Sequence, residues 1–97
     1  MSPGLVRLLA PPEIDPATAE RFAGELFEID ADAVVHLDCS EVRFIDSTGV
    51  KVLVEESQRR RSNGGGLVVE NPTHLVRKML EVAEVADLIQ DSSGRAD

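Results

Sequence analysis

Ninety-seven residues, 42% hydrophobic and 29% charged, are enough for one compact domain and too few for two, and this composition folds rather than staying disordered. A formal net charge of −8 argues against a broad nucleic-acid surface, which Lys and Arg would have to build, and against charge-driven docking on anionic lipid. The single Cys39 cannot form an internal disulfide, no apolar run approaches the roughly 20 residues of a membrane helix, and the N-terminus lacks a basic-then-apolar leader, so the expectation is a cytoplasmic protein with no membrane insertion and no direct nucleic acid contact.

Leu5 to Leu9 is a short apolar segment expected to form an edge strand. Pro11 and Pro12 interrupt it. Asp15-Pro16 then opens a helix, with Asp15 as N-cap and Pro16 in the first turn. Ala19, Phe22, Ala23 and Leu26 keep one-face spacing to an end near Ile29. Ala33 to Asp38 reads as a buried strand, followed by a loop to Arg43. Phe44-Ile45 leads into a second helix with Val50, Leu53, Val54 and Ser57 on one face. Arg59, Arg60 and Arg61 close that helix, where cations suit the negative dipole end. Asn63 to Gly66 stops it. Leu67 to Glu70 is a strand, Asn71-Pro72-Thr73 opens a third helix carrying Val76, Met79, Leu80 and Ala83, and Leu88-Ile89 is expected as a last short strand. With no Trp or Tyr and three Phe, the core is built mainly from Val, Leu, Ile and Ala. Alternating strands and helices predict an α/β domain over residues 1–90: a mostly parallel mixed sheet of four to five strands with three main helices, and a polar tail over 91–97.

The most informative stretch runs from Val42 to Val54, and its most specific part is Phe44-Ile45-Asp46-Ser47-Thr48-Gly49-Val50. Asp46 and Ser47 are both good N-cap residues, so two hydroxyls, Ser47 and Thr48, stand at the positive end of a helix. A phosphate added there would meet free N–H groups and a favourable dipole, with Asp46 crowding it with negative charge. Such a turn suits a switch that changes the charge of a binding surface. Gly49 fits a close backbone approach, to the sheet or to a partner.

This stretch resembles the Asp-Ser-Ser/Thr-Gly-Leu/Ile/Val switch segment of STAS domains, in particular the bacterial anti-sigma factor antagonists (anti-anti-sigma factors). The similarity runs from about Leu5 to Ile89. Ile14-Asp15 is similar to the family's Gly-Glu-Leu/Ile-Asp element, with Pro12 where Gly is usual, and Glu84-Val85 stands where Gly often ends the third helix. The resemblance implies that Ser47 is phosphorylated by a partner anti-sigma factor that is also a serine kinase. It implies further that the unphosphorylated form binds this partner and frees a sigma factor, and that a serine phosphatase restores binding. The partner-binding residues expected with it are Asp15, Asp46, Thr48, Gly49, Lys51 and Glu55. Lys51, Glu55 and Arg59 fall four apart and would form one exposed stripe.

Other readings carry less. Asp15 serves as a helix cap and, if its strand neighbours the switch segment, lies near Ser47. Thr48 reads as a structural first-turn residue rather than a second acceptor. His36, His74 and Cys39 lack metal-ligand spacing, so no metal and no cofactor is expected. Gly64 to Gly66 is a turn, since no Gly-Lys-Ser/Thr follows. Asp91-Ser92-Ser93-Gly94 repeats the switch text, but no helix follows it. No Ser/His/Asp or Cys/His arrangement supports catalysis, so an enzyme is not expected. The alternative function is a STAS subunit of a lipid or solute ABC-type transporter that binds its ATPase without phosphorylation.

Overall fold

The computed structural model describes residues 4–89. The chain runs β1 (Leu5–Leu9), β2 (Glu13–Ile14), α1 (Pro16–Phe27), β3 (Val34–Asp38), β4 (Phe44–Ile45), α2 (Ser47–Ser62), β5 (Gly66–Glu70) and α3 (His74–Val82). This is the α/β fold expected, with five strands and three main helices. Among the described residues every strand pairing is parallel, and the strands divide between two ladders, β1-β3-β5 and β2-β4.

The division follows from the prolines. Ala10 still donates its N–H to the Asp38 carbonyl at 2.9 Å, extending β1 along β3. Pro11 and Pro12 cannot donate to a ladder. The Pro12 carbonyl instead accepts from Arg43 and Phe44, at 2.8 and 3.2 Å, which starts the second ladder.

Strand residues alternate between two faces. Val35, Leu37, Leu67 and Val69 are buried and cluster with Phe22 and Leu26 of α1, Val50 and Leu53 of α2, and Val76 and Leu80 of α3. On the opposite face Glu70 crosses the sheet. Its Oε2 lies 2.7 Å from His36 Nδ1, and its Oε1 accepts from Arg7 Nη1 at 2.8 Å.

Between α2 and β5 the chain turns sharply. Gly64 has φ +86°, and a side chain at Gly65 would strike the carbonyl oxygens of Ala33 and Ala31. The Asn63–Gly66 segment thus needs glycine for both handedness and room. At the end of α3 the Val85 N–H bonds to the Leu80 carbonyl and the Glu84 N–H to that of Glu81, at 2.9 and 3.0 Å. This is a Schellman ending, with Glu84 at φ 63° where glycine is the favoured residue.

Two expectations shift. α1 ends at Phe27 rather than near Ile29. The last segment is a 3₁₀ turn, Ala86–Leu88, with one parallel bridge from Ile89 to Val69 rather than a strand. Leu88 is drawn into the core, which leaves Ile89 to reach the edge of β5. The sequence from Asp91 to Asp97, with the Asp-Ser-Ser-Gly that repeats the switch text, lies outside the described residues.

Candidate functional site

β2 and β4 pair in register, Glu13 with Phe44 and Ile14 with Ile45. The next residue of each strand is an aspartate, and each aspartate caps a helix. The two-residue ladder therefore sets the starts of α1 and α2 side by side, and brings Asp15 to the strand that neighbours the Ser47 turn. The Asp46 N–H donates to the Ile14 carbonyl at 3.3 Å, a further link between the turns.

Each cap is closed by its own side chain. Asp15 Oδ1 accepts from the N–H groups of Ala17 and Thr18 at 3.0 and 3.1 Å, and Thr18 Oγ1 accepts in return from the Asp15 N–H at 3.0 Å. Asp46, in extended geometry (φ −118°, ψ −169°), accepts at Oδ1 from Thr48 and Gly49 N–H at 3.0 and 3.2 Å. Cap and first helical residue thus separate. Asp46 alone is the N-cap, and Ser47, to which the sequence also allowed a capping part, is the first residue inside α2 and is exposed.

Thr48 is half-buried, and Gly49 is buried. A Cβ on Gly49 would lie 2.7 Å from the Ile14 carbonyl oxygen and 2.8 Å from Ile14 Cγ2 and Ile45 Cγ1. The close approach is thus to the β2–β4 ladder. Glycine lets α2 start directly on the two strands that carry the aspartates.

Beyond the turn, Lys51 and Glu55 are strongly exposed and face one another, Nζ to Oε2, at 3.9 Å. Arg59 leaves this line. Its Nη2 donates to Glu56 Oε2 at 2.7 Å, and its guanidinium sits 4.6 Å from the centre of the Phe27 ring. The exposed stripe is therefore Lys51 and Glu55, with Arg59 turned toward α1.

Two residues here were not foreseen. Phe44, immediately before the turn, is 45% exposed, because β4 is short and one of only two strands in its ladder. Arg60 is fully buried. Its Nη1 donates to the carbonyls of Asp30 and Ala33 at 2.7 and 3.2 Å, and its Nη2 to those of Leu26 and Ile29 at 2.6 and 3.2 Å. Its Nε lies 2.7 Å from Glu56 Oε2, an ion-pair distance without hydrogen-bond alignment. Arg60 thus serves carbonyls from the last turn of α1 through its connection to β3, rather than the dipole of its own helix. Its spacing held the signal: 53, 57 and 60 lie on one helical face, so an Arg stood at a core position.

At the end of β3, Asp38 Oδ1 accepts from the Ser40 N–H at 2.9 Å, and this bond holds its carboxyl below the usual range. Burial pushes the neighbouring Cys39 thiol up to about 12. Among the described residues no cluster of His, Cys, Asp or Glu could hold a metal ion, and no helix is long and apolar enough to cross a membrane.

Solved structures share this fold, two of them described as follows. One is the anti-sigma factor antagonist SpoIIAA in its unphosphorylated form: TM-score 0.77 and 18% identity over 93% of this chain and 81% of that one. The other is a candidate anti-sigma factor antagonist from Thermotoga maritima: TM-score 0.77 and 22% identity over 92% of this chain and 81% of that one. No curated protein matches the sequence. The profile of the family described as "Mlab, STAS domain" matches residues 6–90. With that match spanning nearly the whole sequence, on a fold whose paired caps carry the Asp-Ser-Thr-Gly turn, the chain belongs to the STAS domain family.

Proposed function

We propose that this chain is an anti-sigma factor antagonist, a binding module rather than an enzyme. It docks on an anti-sigma factor with serine kinase activity, and phosphorylation of Ser47 switches it off. Release of a sigma factor follows its unphosphorylated state, which a serine phosphatase restores. The domain spans residues 1–90, and residues 91–97 form a dispensable polar tail.

The division of labour at the turn carries this reading. Asp46 supplies the capping oxygen, so the exposed Ser47 hydroxyl is spare for chemistry. A phosphoryl group there adds about −1.5 to −2 charges close to the Asp46 carboxylate. Surface charge then changes while the cap of α2 stays closed. The docking surface combines Asp15, Asp46 and Thr48 with Lys51 and Glu55, the expected contact at Gly49 being buried beneath it against Ile14 and Ile45, and Phe44 adds an exposed apolar contact beside them.

The test is incubation of the chain with its anti-sigma kinase and ATP, followed by intact and tandem mass spectrometry. One phosphoryl group on Ser47 is expected. A phosphate on Thr48 or Ser92 instead, or none, refutes the switch. In calorimetry against the same kinase, Ser47→Ala keeps binding and Ser47→Glu loses at least tenfold in affinity. Equal affinities would separate Ser47 from control.

A second reading is a STAS subunit of a lipid or solute ABC-type transporter, with Ser47 and Thr48 only structural. The match to the STAS domain family over residues 6–90 is shared by both readings. Copurification with a membrane transporter ATPase, undiminished by Ser47→Glu, would select this reading over a soluble kinase-like ATPase partner.

A further inference from the structure

We propose that β1 is a self-association edge, and that two copies of this chain join β1 to β1 in antiparallel fashion across a two-fold axis through Arg7. The argument begins with the backbone. The Val34 N–H bonds to the Gly4 carbonyl at 3.0 Å, and the Ala10 N–H to the Asp38 carbonyl at 2.9 Å. In a parallel ladder alternate residues turn both backbone groups toward the same neighbour. Gly4, Val6, Leu8 and Ala10 therefore face β3, and Leu5, Arg7 and Leu9 present their N–H and C=O groups outward. Among the described residues these groups have no strand partner.

The side chains of the same three residues share the open face of the sheet. Leu5 is 61% and Leu9 53% exposed. Edge strands are ordinarily guarded by proline, a bulge or a projecting charge. β1 contains no proline, pairs in unbroken register from Leu5 to Leu9, and carries one charge, Arg7, which stays 69% exposed but is neutralised by Glu70 at 2.8 Å. The other edge of the sheet is already engaged, since Ile89 bridges to Val69.

The occupant that fits this edge is a second copy. Placing the axis at Arg7 sets Leu5 opposite Leu9 of the other copy, Arg7 opposite Arg7, and Leu9 opposite Leu5. All three positions are then hydrogen-bonded pairs, and both leucine pairs fall on one face. The contact is isologous and closes on itself, joining the two sheets into one. Charge points the same way. On a chain of formal net charge −8, this edge carries no carboxylate. Two such molecules meet there with less repulsion than through their acidic surfaces, and each Arg7 brings its own Glu70. The remaining long-range repulsion is screened by salt, so association strengthens as ionic strength rises.

The test is multi-angle light scattering of the full chain from micromolar to millimolar concentration, with hydrogen exchange followed residue by residue. The mass is expected to rise from 10.5 kDa toward twice that value, and the amides of Leu5, Arg7 and Leu9 to become protected along with it. Leu9→Lys weakens association at least tenfold. Arg7→Pro abolishes it while leaving the β1–β3 ladder, because the N–H it removes points outward. A monomer at every concentration and salt overturns the proposal. So does a dimer in which these three amides exchange freely, or one indifferent to Leu9→Lys in a protein that stays folded.

Discussion

Replacing Arg60 by Met tests the least expected feature of the fold. The guanidinium gives four N–H bonds to the carbonyls of Leu26, Ile29, Asp30 and Ala33, two of them at 2.6 and 2.7 Å. Hydrogen bonds to charged groups are worth about 1.5–3 kcal/mol each, but they are not additive, and burying the charge offsets much of their sum. Removing one partner of a buried pair has a better-known cost, about 3–5 kcal/mol, because the other partner stays behind unmatched. Here Glu56 keeps Arg59 at 2.7 Å, and the carbonyls of Leu26, Asp30 and Ala33 keep backbone donors in Ile29, Ala33 and Gly66, so only the Ile29 carbonyl loses its one donor. The expected loss is therefore at the lower end, about 3 kcal/mol, out of a total of roughly 5–15 kcal/mol for a domain of this size. With a urea m-value of about 1–3 kcal/mol/M, the midpoint falls by about 1 M or more. Adding Glu56→Leu should deepen the loss by less than Glu56→Leu costs alone, since the pair is already broken. Equilibrium unfolding of the four proteins in the cycle measures this. A loss below about 1 kcal/mol for Arg60→Met would show that water replaces the guanidinium and that Arg60 braces nothing.

Three further outcomes follow from local geometry. Gly49→Ala gains about 1 kcal/mol of helix propensity but overpacks the Ile14 carbonyl by about 1–3 kcal/mol. That carbonyl is tied to the Asp46 N–H, so the melting temperature should fall, and an unchanged or raised value refutes the close approach. Glu84→Gly relieves a left-handed residue worth about 1–2 kcal/mol at the expense of about 0.4–1 kcal/mol of chain entropy. Melting should rise by a few degrees, and a fall would mean that the glutamate side chain is holding the turn. The Cys39 thiol ionises from 9.0 when unfolded and only near 12 when folded. Between those values the unfolded state binds fewer protons, so stability falls with rising pH by up to about 1.4 kcal/mol per unit. Cys39→Ala should flatten this alkaline limb in pH-dependent unfolding, and an identical limb would refute the burial effect.

What could be read from the chain was what local chemistry decides. Asp15-Pro16 and Asp46-Ser47 announce helix starts because the cap oxygen and the N–H groups it serves lie within three residues. The three longer strands announce themselves through β-branched and leucine-rich runs. The approach at Gly49 was legible as a need for space, though its neighbours Ile14 and Ile45 were not, since they depend on a pairing between distant segments. The separate β2–β4 ladder escaped for the same reason, as two residues carry no periodicity. Arg60 was misassigned because three consecutive arginines at a helix end look like dipole complements, and only one of them turns inward. Glu84 left no trace in its own identity. Its handedness is imposed by the Leu80–Val85 closure, not by any preference of glutamate.

The parallel pairing of every strand also bears on how the chain reaches this structure. A parallel pair cannot form as a hairpin, so β1–β3 and β3–β5 each wait for a crossover that contains a helix. Assembly then depends on contacts distant in sequence, which slows it relative to a helical bundle of equal length. Arg60 reaches from α2 to Leu26 and Ala33, and it can make those bonds only after both crossovers have docked. Its interactions belong to the last stage of folding. They act less on how fast the domain forms than on how rarely it opens.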